Sequence, residues 1–149
     1  MKLRISVSEA RYDAVKHQLE AHGLEISDDA EYMITETSRS SSLLPVRSDD
    51  KESLMISPAD VIYIEAFGKE IEVHTRQGTY YAKDRMYQLE SLLDPREFLR
   101  VSKSVIISRK HVHKIRPSLS MKFILTMSDG TLVDVTRTYY SDFRRFFGI

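Results

Sequence analysis

The stretch Phe98–Arg116, FLRVSKSVIISRKHVHKIR, sets an apolar run, Val105-Ile106-Ile107, inside a belt of cations. Arg96, Arg100, Lys103, Arg109, Lys110, Lys114 and Arg116 surround the run, with Glu97 as the nearby acid. The run reads as a strand flanked by turns. A chain with no formal net charge has therefore gathered positive charge around one strand. Such a cluster suits a surface that meets phosphates. A solvated face beside a core strand would account for the charge equally well.

Both flanks of this stretch read mostly as short strands. Downstream lie Ile115, a strand over Lys122–Met127, and Asp129-Gly130, a strong hairpin signal between alternating runs. Leu132, Val133 and Val135 form the returning strand. A last helix begins near Thr138, with Tyr139, Phe143, Phe146 and Phe147 on one face. Upstream, Leu54-Met55-Ile56 precedes Pro58, and Val61-Ile62-Tyr63-Ile64 is a buried-type run. Gly68 turns it back into Ile71, Val73 and Thr75, and Gln77-Gly78 leads on to Thr79-Tyr80-Tyr81. Asp84 is placed to cap a helix carrying Met86, Leu89, Leu92 and Leu93, which Asp94-Pro95 ends.

The N-terminal portion has a different character. Residues 1–50 hold six Lys/Arg and ten Asp/Glu, a net of −4, so the remainder carries +4. Only the second part is a plausible polyanion binder. Leu3, Ile5 and Val7 alternate as in a strand. Ser8 is placed to cap a helix with Tyr12, Val15 and Leu19 at helical spacing, and Gly23 is a good stop. Tyr32 and Ile34 suggest a further strand. This βα(β) segment, residues 1–37, is too small to close its own core. Its apolar face needs either a second copy of the chain, giving a homodimer, or a place on the C-terminal domain. Residues 38–53, rich in Ser and charge with Pro45, read as a linker, and residues 54–149 as the main domain.

Several chemistries find no support. The chain has no cysteine, which excludes disulfides and thiolate chemistry. No nucleotide-binding glycine motif or nucleophile elbow appears. His111 and His113, two apart, would share one face of a strand, but no third metal ligand stands out, and no metal or cofactor is expected. Glu65 is a lone carboxylate near a strand end, and His74 sits mid-strand. The chain reads as a non-enzyme. It has neither a signal-peptide segment nor an apolar run long enough to span a bilayer, which reads as cytoplasmic.

Four segments in order, VIYIEAFGKEIEVHT, the helix ending in LLDP, FLRVSKSVIIS and VTRTYY, resemble the LytTR-type DNA-binding domain. The resemblance covers about residues 54–147. It implies a mainly β (α+β) fold, an elongated array of short antiparallel strands with few helices. It also implies double-stranded DNA binding in a bacterial transcriptional regulator, through loops that enter successive major grooves. By that resemblance Lys69 lies at the first reading loop, Arg100, Lys103 and Ser104 supply the second, and Arg137 the third. Ser102, Lys103, Ser108 and Thr136 stand where the family often has His, Arg, Asn and Ser. Lysine at 103 offers a point charge instead of a fork, which weakens bidentate reading of guanine, whereas Arg137 keeps that ability.

Many family members carry a receiver domain upstream; residues 1–50 are too few for one, so a stand-alone regulator is expected here, and the resemblance implies direct-repeat promoter sites suited to two protomers. A small membrane regulatory partner is a further implication. A protein-binding module that docks an acidic partner on the basic strand is the alternative.

Overall fold

The computed structural model describes residues 1–35 and 43–149. The chain divides into two compact units, Met1–Ser38 and Arg39–Ile149. The first contains β1 (Lys2–Ser6), α1 (Glu9–Ala21), β2 (Glu25–Ile26) and β3 (Tyr32–Thr35). Its sheet has the order β2-β1-β3, with both pairings parallel, so α1 is the crossover that parallel strands require. Gly23, with φ of +80°, ends α1. The Gly23 amide bonds to the Glu20 carbonyl and the Leu24 amide to the Leu19 carbonyl, the pair of bonds that closes a helix through a left-handed residue. Leu3 is the only buried apolar side chain among the described residues of this unit, and α1 buries none. Ile5, Val7, Tyr12, Val15 and Leu19 are half-buried.

The second unit is mostly antiparallel sheet. Its strands are β4 (Leu44–Arg47), β5 (Ser53–Ile56), β6 (Val61–Phe67), β7 (Glu70–Thr75), β8 (Gly78–Tyr81), β9 (Phe98–Arg100), β10 (Val105–Ser108), β11 (Val112–Ser118), β12 (Lys122–Met127) and β13 (Leu132–Val135). Helix α2 (Met86–Leu92) lies between β8 and β9, and α3 (Tyr140–Phe147) ends the unit. Seven strands form one sheet in the order β5-β4-β8-β7-β6-β10-β9, and β11-β12-β13 form another. The fold is mainly β with few helices.

Two apolar clusters explain the layering. Ile64, Val73 and Ile106 pack with Leu89 and Leu93 in one. Tyr63, Val105 and Ile107 pack with Phe123, Leu125, Met127, Val135 and Phe143 in the other. Strands β6 and β10 thus feed both clusters. That is the physical reason for their unbroken apolar runs, since a strand buried on both faces has no polar side. The flanking β12, buried on one face, alternates instead. Asp129-Gly130 makes the expected turn between β12 and β13, with Gly130 at φ +85° and the Asp129 carboxylate accepting from the Thr131 amide at 3.0 Å.

Helix α2 starts one residue later than Asp84 would place it. Arg85 is its N-cap, and the Gln88 side chain accepts from the Arg85 amide at 2.8 Å. Met86, Leu89 and Leu93 are buried, but Leu92 faces solvent.

The linker expected over 38–53 is corrected in its second part; residues 38–42 lie outside the described residues. Leu44 and Val46 are 1% and 2% exposed, and Leu44–Arg47 pairs with β5 from Leu44↔Ile56 to Arg47↔Ser53. The charged part of that composition, Asp49 to Glu52, belongs to the turn between them, where Lys51 has φ +63° and its amide bonds to the Ser48 carbonyl. Two alternating apolar residues were too short a signal against that composition.

The two histidines also part company. His111 lies on a 3-10 turn, Arg109–His111, ahead of β11, and a register shift between Val112 and Lys114 further breaks the alternation. His111 is buried, its Nδ1 2.9 Å from the Ser128 hydroxyl, while His113 faces solvent. Burial holds His111 below the usual histidine pKa, against the opposing bond to the Ala59 carbonyl, so the ring is a neutral structural link.

Leu44→Ala should lower the stability of the chain by about 2–5 kcal/mol, the range for emptying a packed leucine site. Urea unfolding followed by circular dichroism measures it. A change below about 0.5 kcal/mol, typical of surface positions, would return Leu44 to an unpacked linker.

Candidate nucleic-acid interface

Three chain segments meet around the loop between β9 and β10. The first is the tip of the β6–β7 hairpin, Phe67-Gly68-Lys69-Glu70, whose outer residues pair directly and whose Gly68 takes φ +62°. Glycine supplies that left-handed conformation without steric cost. The second is the loop Val101–Ser104. The third is the junction Thr136–Thr138 between β13 and α3.

Main-chain hydrogen bonds staple the three together. The Ala66 amide donates to the Ser104 carbonyl at 2.8 Å, and the Thr136 amide donates to the Val101 carbonyl at 3.0 Å. The loop closes on itself through the Val101 amide and the Val105 carbonyl at 3.0 Å. Inside it, the Ser102 hydroxyl accepts from the Ser104 amide at 3.2 Å. Ser102 is buried and Val101 fully so. The loop is therefore held from within, and its position is tied to both neighbours.

The residues expected to meet DNA divide into two kinds. Lys69, Lys103 and Arg137 are exposed, one on each of the three stapled segments. Ser104 is half-buried, its hydroxyl 3.4 Å from that of Ser102. Arg100 points into the loop. Its Nε donates to the Ser102 carbonyl at 3.2 Å, one terminal nitrogen donates to the Lys103 carbonyl, and the other pairs with Glu90 on α2 at 3.3 Å. Its side chain is 21% exposed. All three guanidinium nitrogens thus have partners in the protein.

Part of the belt of cations around β10 is engaged within the protein. Arg96 forks onto Asp94, at 3.2 and 3.0 Å, and that carboxylate raises the arginine pKa. Arg109 donates to the Phe146 carbonyl at 3.0 Å and lies over the Phe146 and Phe147 rings, which fastens α3. Lys110, Lys114 and Arg116 are exposed, on the short 3-10 turn Arg109–His111 and on β11 in the other sheet. Sequence proximity had gathered charges that the fold distributes.

The family model of the LytTr DNA-binding domain matches residues 51–148. The chain belongs to this family. The LytTr DNA-binding domain of a Bacillus cereus protein has a similar structure, with a TM-score of 0.68 and 29% identity, covering 72% of this chain and 98% of that one. The sensory transduction protein LytT of Bacillus cereus is 27% identical over 96 residues, 64% of this chain and 39% of that protein. The transcriptional regulatory protein LytR of Staphylococcus aureus is 26% identical over 106 residues, 71% of this chain and 43% of that protein. The chain thus spans about two fifths of the length of these relatives.

Within this LytTR domain, reading the sequence missed three features around the candidate interface. Ala66 and Thr136 act through their backbone amides, which no side-chain motif encodes. Glu90, ten residues from Arg100, becomes its partner only when α2 packs beside β9. Phe67, 68% exposed at the hairpin tip, could have been flagged as an aromatic beside a turn glycine.

Arg100→Ala should leave the fold intact but loosen the loop by about 1.5–3 kcal/mol, the worth of hydrogen bonds made by a charged group. Hydrogen exchange at the Ala66, Val101 and Ser104 amides should accelerate by roughly tenfold or more. Unchanged exchange at all three would mean that the guanidinium does not hold the loop.

Proposed function

We propose that this chain is a bacterial transcriptional regulator, working in the cytoplasm, that binds duplex DNA sequence-selectively through loops entering successive major grooves. One observation carries the reading. Lys69, Lys103 and Arg137 are exposed on three segments stapled by backbone hydrogen bonds into one unit. A fixed array of cations can match phosphates and base edges without first being ordered, which lowers the entropic cost of binding.

The roles differ by chemistry. Arg137 presents a fork that suits guanine O6 and N7. Lys103 presents a point charge and acts mainly on phosphates. Ser104 adds a hydroxyl at the loop edge, and Arg100 shapes the loop from inside. Docking of an acidic protein on the basic strand is the weaker reading, because Arg96, Arg100 and Arg109 are engaged within the protein.

Raising salt should weaken DNA binding steeply, with a log–log slope of roughly −4 to −5 for about five phosphate contacts. Arg137→Ala should cost about 1–3 kcal/mol and relax preference at one base pair. Lys103→Ala should weaken all sequences alike and flatten the salt slope by about one. Mobility-shift titrations over salt, with duplexes selected from a random pool, make the comparison. Wild-type affinity in both variants would remove these assignments.

The N-terminal unit we assign to self-association, so that two protomers occupy a direct-repeat site. Leu3, the single buried apolar side chain among its described residues, and the exposed Tyr32 and Met33 on β3 support this. The same unit is where a small membrane regulatory partner would act. Residues 43–149 retain both apolar clusters and should stay folded without it. That fragment should be monomeric and bind a paired site less tightly, because linked binding events gain from effective concentration. Light scattering during size-exclusion chromatography settles the point: a full-length chain that stays monomeric, or a fragment that stays dimeric, would exclude the role.

A further inference from the structure

We infer that Phe67 is a specificity-determining residue that contacts the 5-methyl group of a thymine in the major groove. The inference deepens the DNA-binding reading above and rests on it. Strand alternation fixes where Phe67 points. Ala66 and Ile71, paired across the hairpin, pack against the first apolar cluster. The next pair, Phe67 and Glu70, therefore projects from the opposite face, at the end of the hairpin. There Phe67 is 68% exposed.

The hairpin brings this ring to the interface. Just below its tip it is bonded to the second reading loop through the Ala66 amide and the Ser104 carbonyl. Its tip carries Lys69. A two-stranded ribbon closed by a two-residue turn fits a major groove about 12 Å wide. Neighbouring charges then choose what the ring meets. Glu70 lies directly across from it, and the pair Glu65–Glu72 shares its face two residues down the strands. These carboxylates repel phosphate, so this side of the hairpin suits base edges, while Lys69 at the turn is free to meet the backbone. Among major-groove features only thymine offers an apolar group, and phenylalanine is one of the side chains that pack on it.

The test uses the full-length chain and its selected duplex, with each thymine replaced singly by deoxyuridine, which removes only the methyl group. At one thymine, wild type should lose about fourfold in affinity, the equivalent of exposing one buried methyl. Phe67→Ala should bind the parent duplex less tightly by a similar factor and not distinguish thymine from deoxyuridine there. Phe67→Leu should keep much of the preference. Because the ring is exposed, circular dichroism should show both variants folded. Selective, Arg137-dependent binding with no methyl-sensitive thymine, or with the same sensitivity in Phe67→Ala, would overturn the role of Phe67 alone. Failure to bind any duplex selectively would overturn the DNA reading, and this inference with it.

Discussion

Two backbone hydrogen bonds, from Ala66 to the Ser104 carbonyl and from Thr136 to the Val101 carbonyl, decide where every candidate contact residue sits. Each bond joins segments far apart in sequence. Each also belongs to backbone that a hairpin tip or strand end would otherwise leave to water. The four-residue loop between them is too short to wander. Arg100 fills it from inside, donating to two of its carbonyls, and Glu90 compensates the charge. A loop held from within in this way can present the Lys103 backbone in one position. Order of this kind distinguishes a reading surface from a flexible cationic patch.

The loop can be so placed because β6 and β10, its neighbours in the sheet, are the most buried strands of the unit. Both faces of these strands are covered, by α2 on one side and by the second sheet with α3 on the other. Burial of two apolar layers makes register slippage costly, since a one-residue slip would exchange the layers. The rigid pair β6 and β10 then ends in the hairpin tip and the loop respectively. Aromatic packing completes the second layer: Phe143 lies 5.0 Å from Phe123 and 4.7 Å from Phe147, and Arg109 closes over the Phe146 and Phe147 rings.

Substitutions relative to the family pattern make sense on this frame in two cases. Ser102 replaces a bulkier polar residue and turns its hydroxyl inward, bonding the loop instead of facing outward. Thr136 retains a hydroxyl, which donates to the Val101 carbonyl at 3.5 Å beside the amide that already does so. Ser108, where asparagine is common, has a buried hydroxyl with no partner. Nothing in the structure explains that substitution.

The sequence by itself determined the main-domain strands and their turns, because apolar runs such as Val61–Ile64 and turn signals such as Asp129-Gly130 are local. It also determined the family, through four motifs in order, and by that resemblance placed Lys69, Lys103 and Arg137 on loops. Tertiary structure alone decided the rest. Leu44 and Val46 read as linker because a two-residue alternation is weak until β5 and β8 supply partners. The seven cations around β10 read as one patch because spacing along a chain carries no information about which face or sheet each residue joins. Arg100 and Arg137 look alike in sequence. One is turned inward by the carbonyls of a tight loop and the carboxylate of Glu90, and the other projects from a strand-to-helix junction. Pairings between distant segments, made largely by backbone groups common to all residues, leave no mark on side-chain pattern.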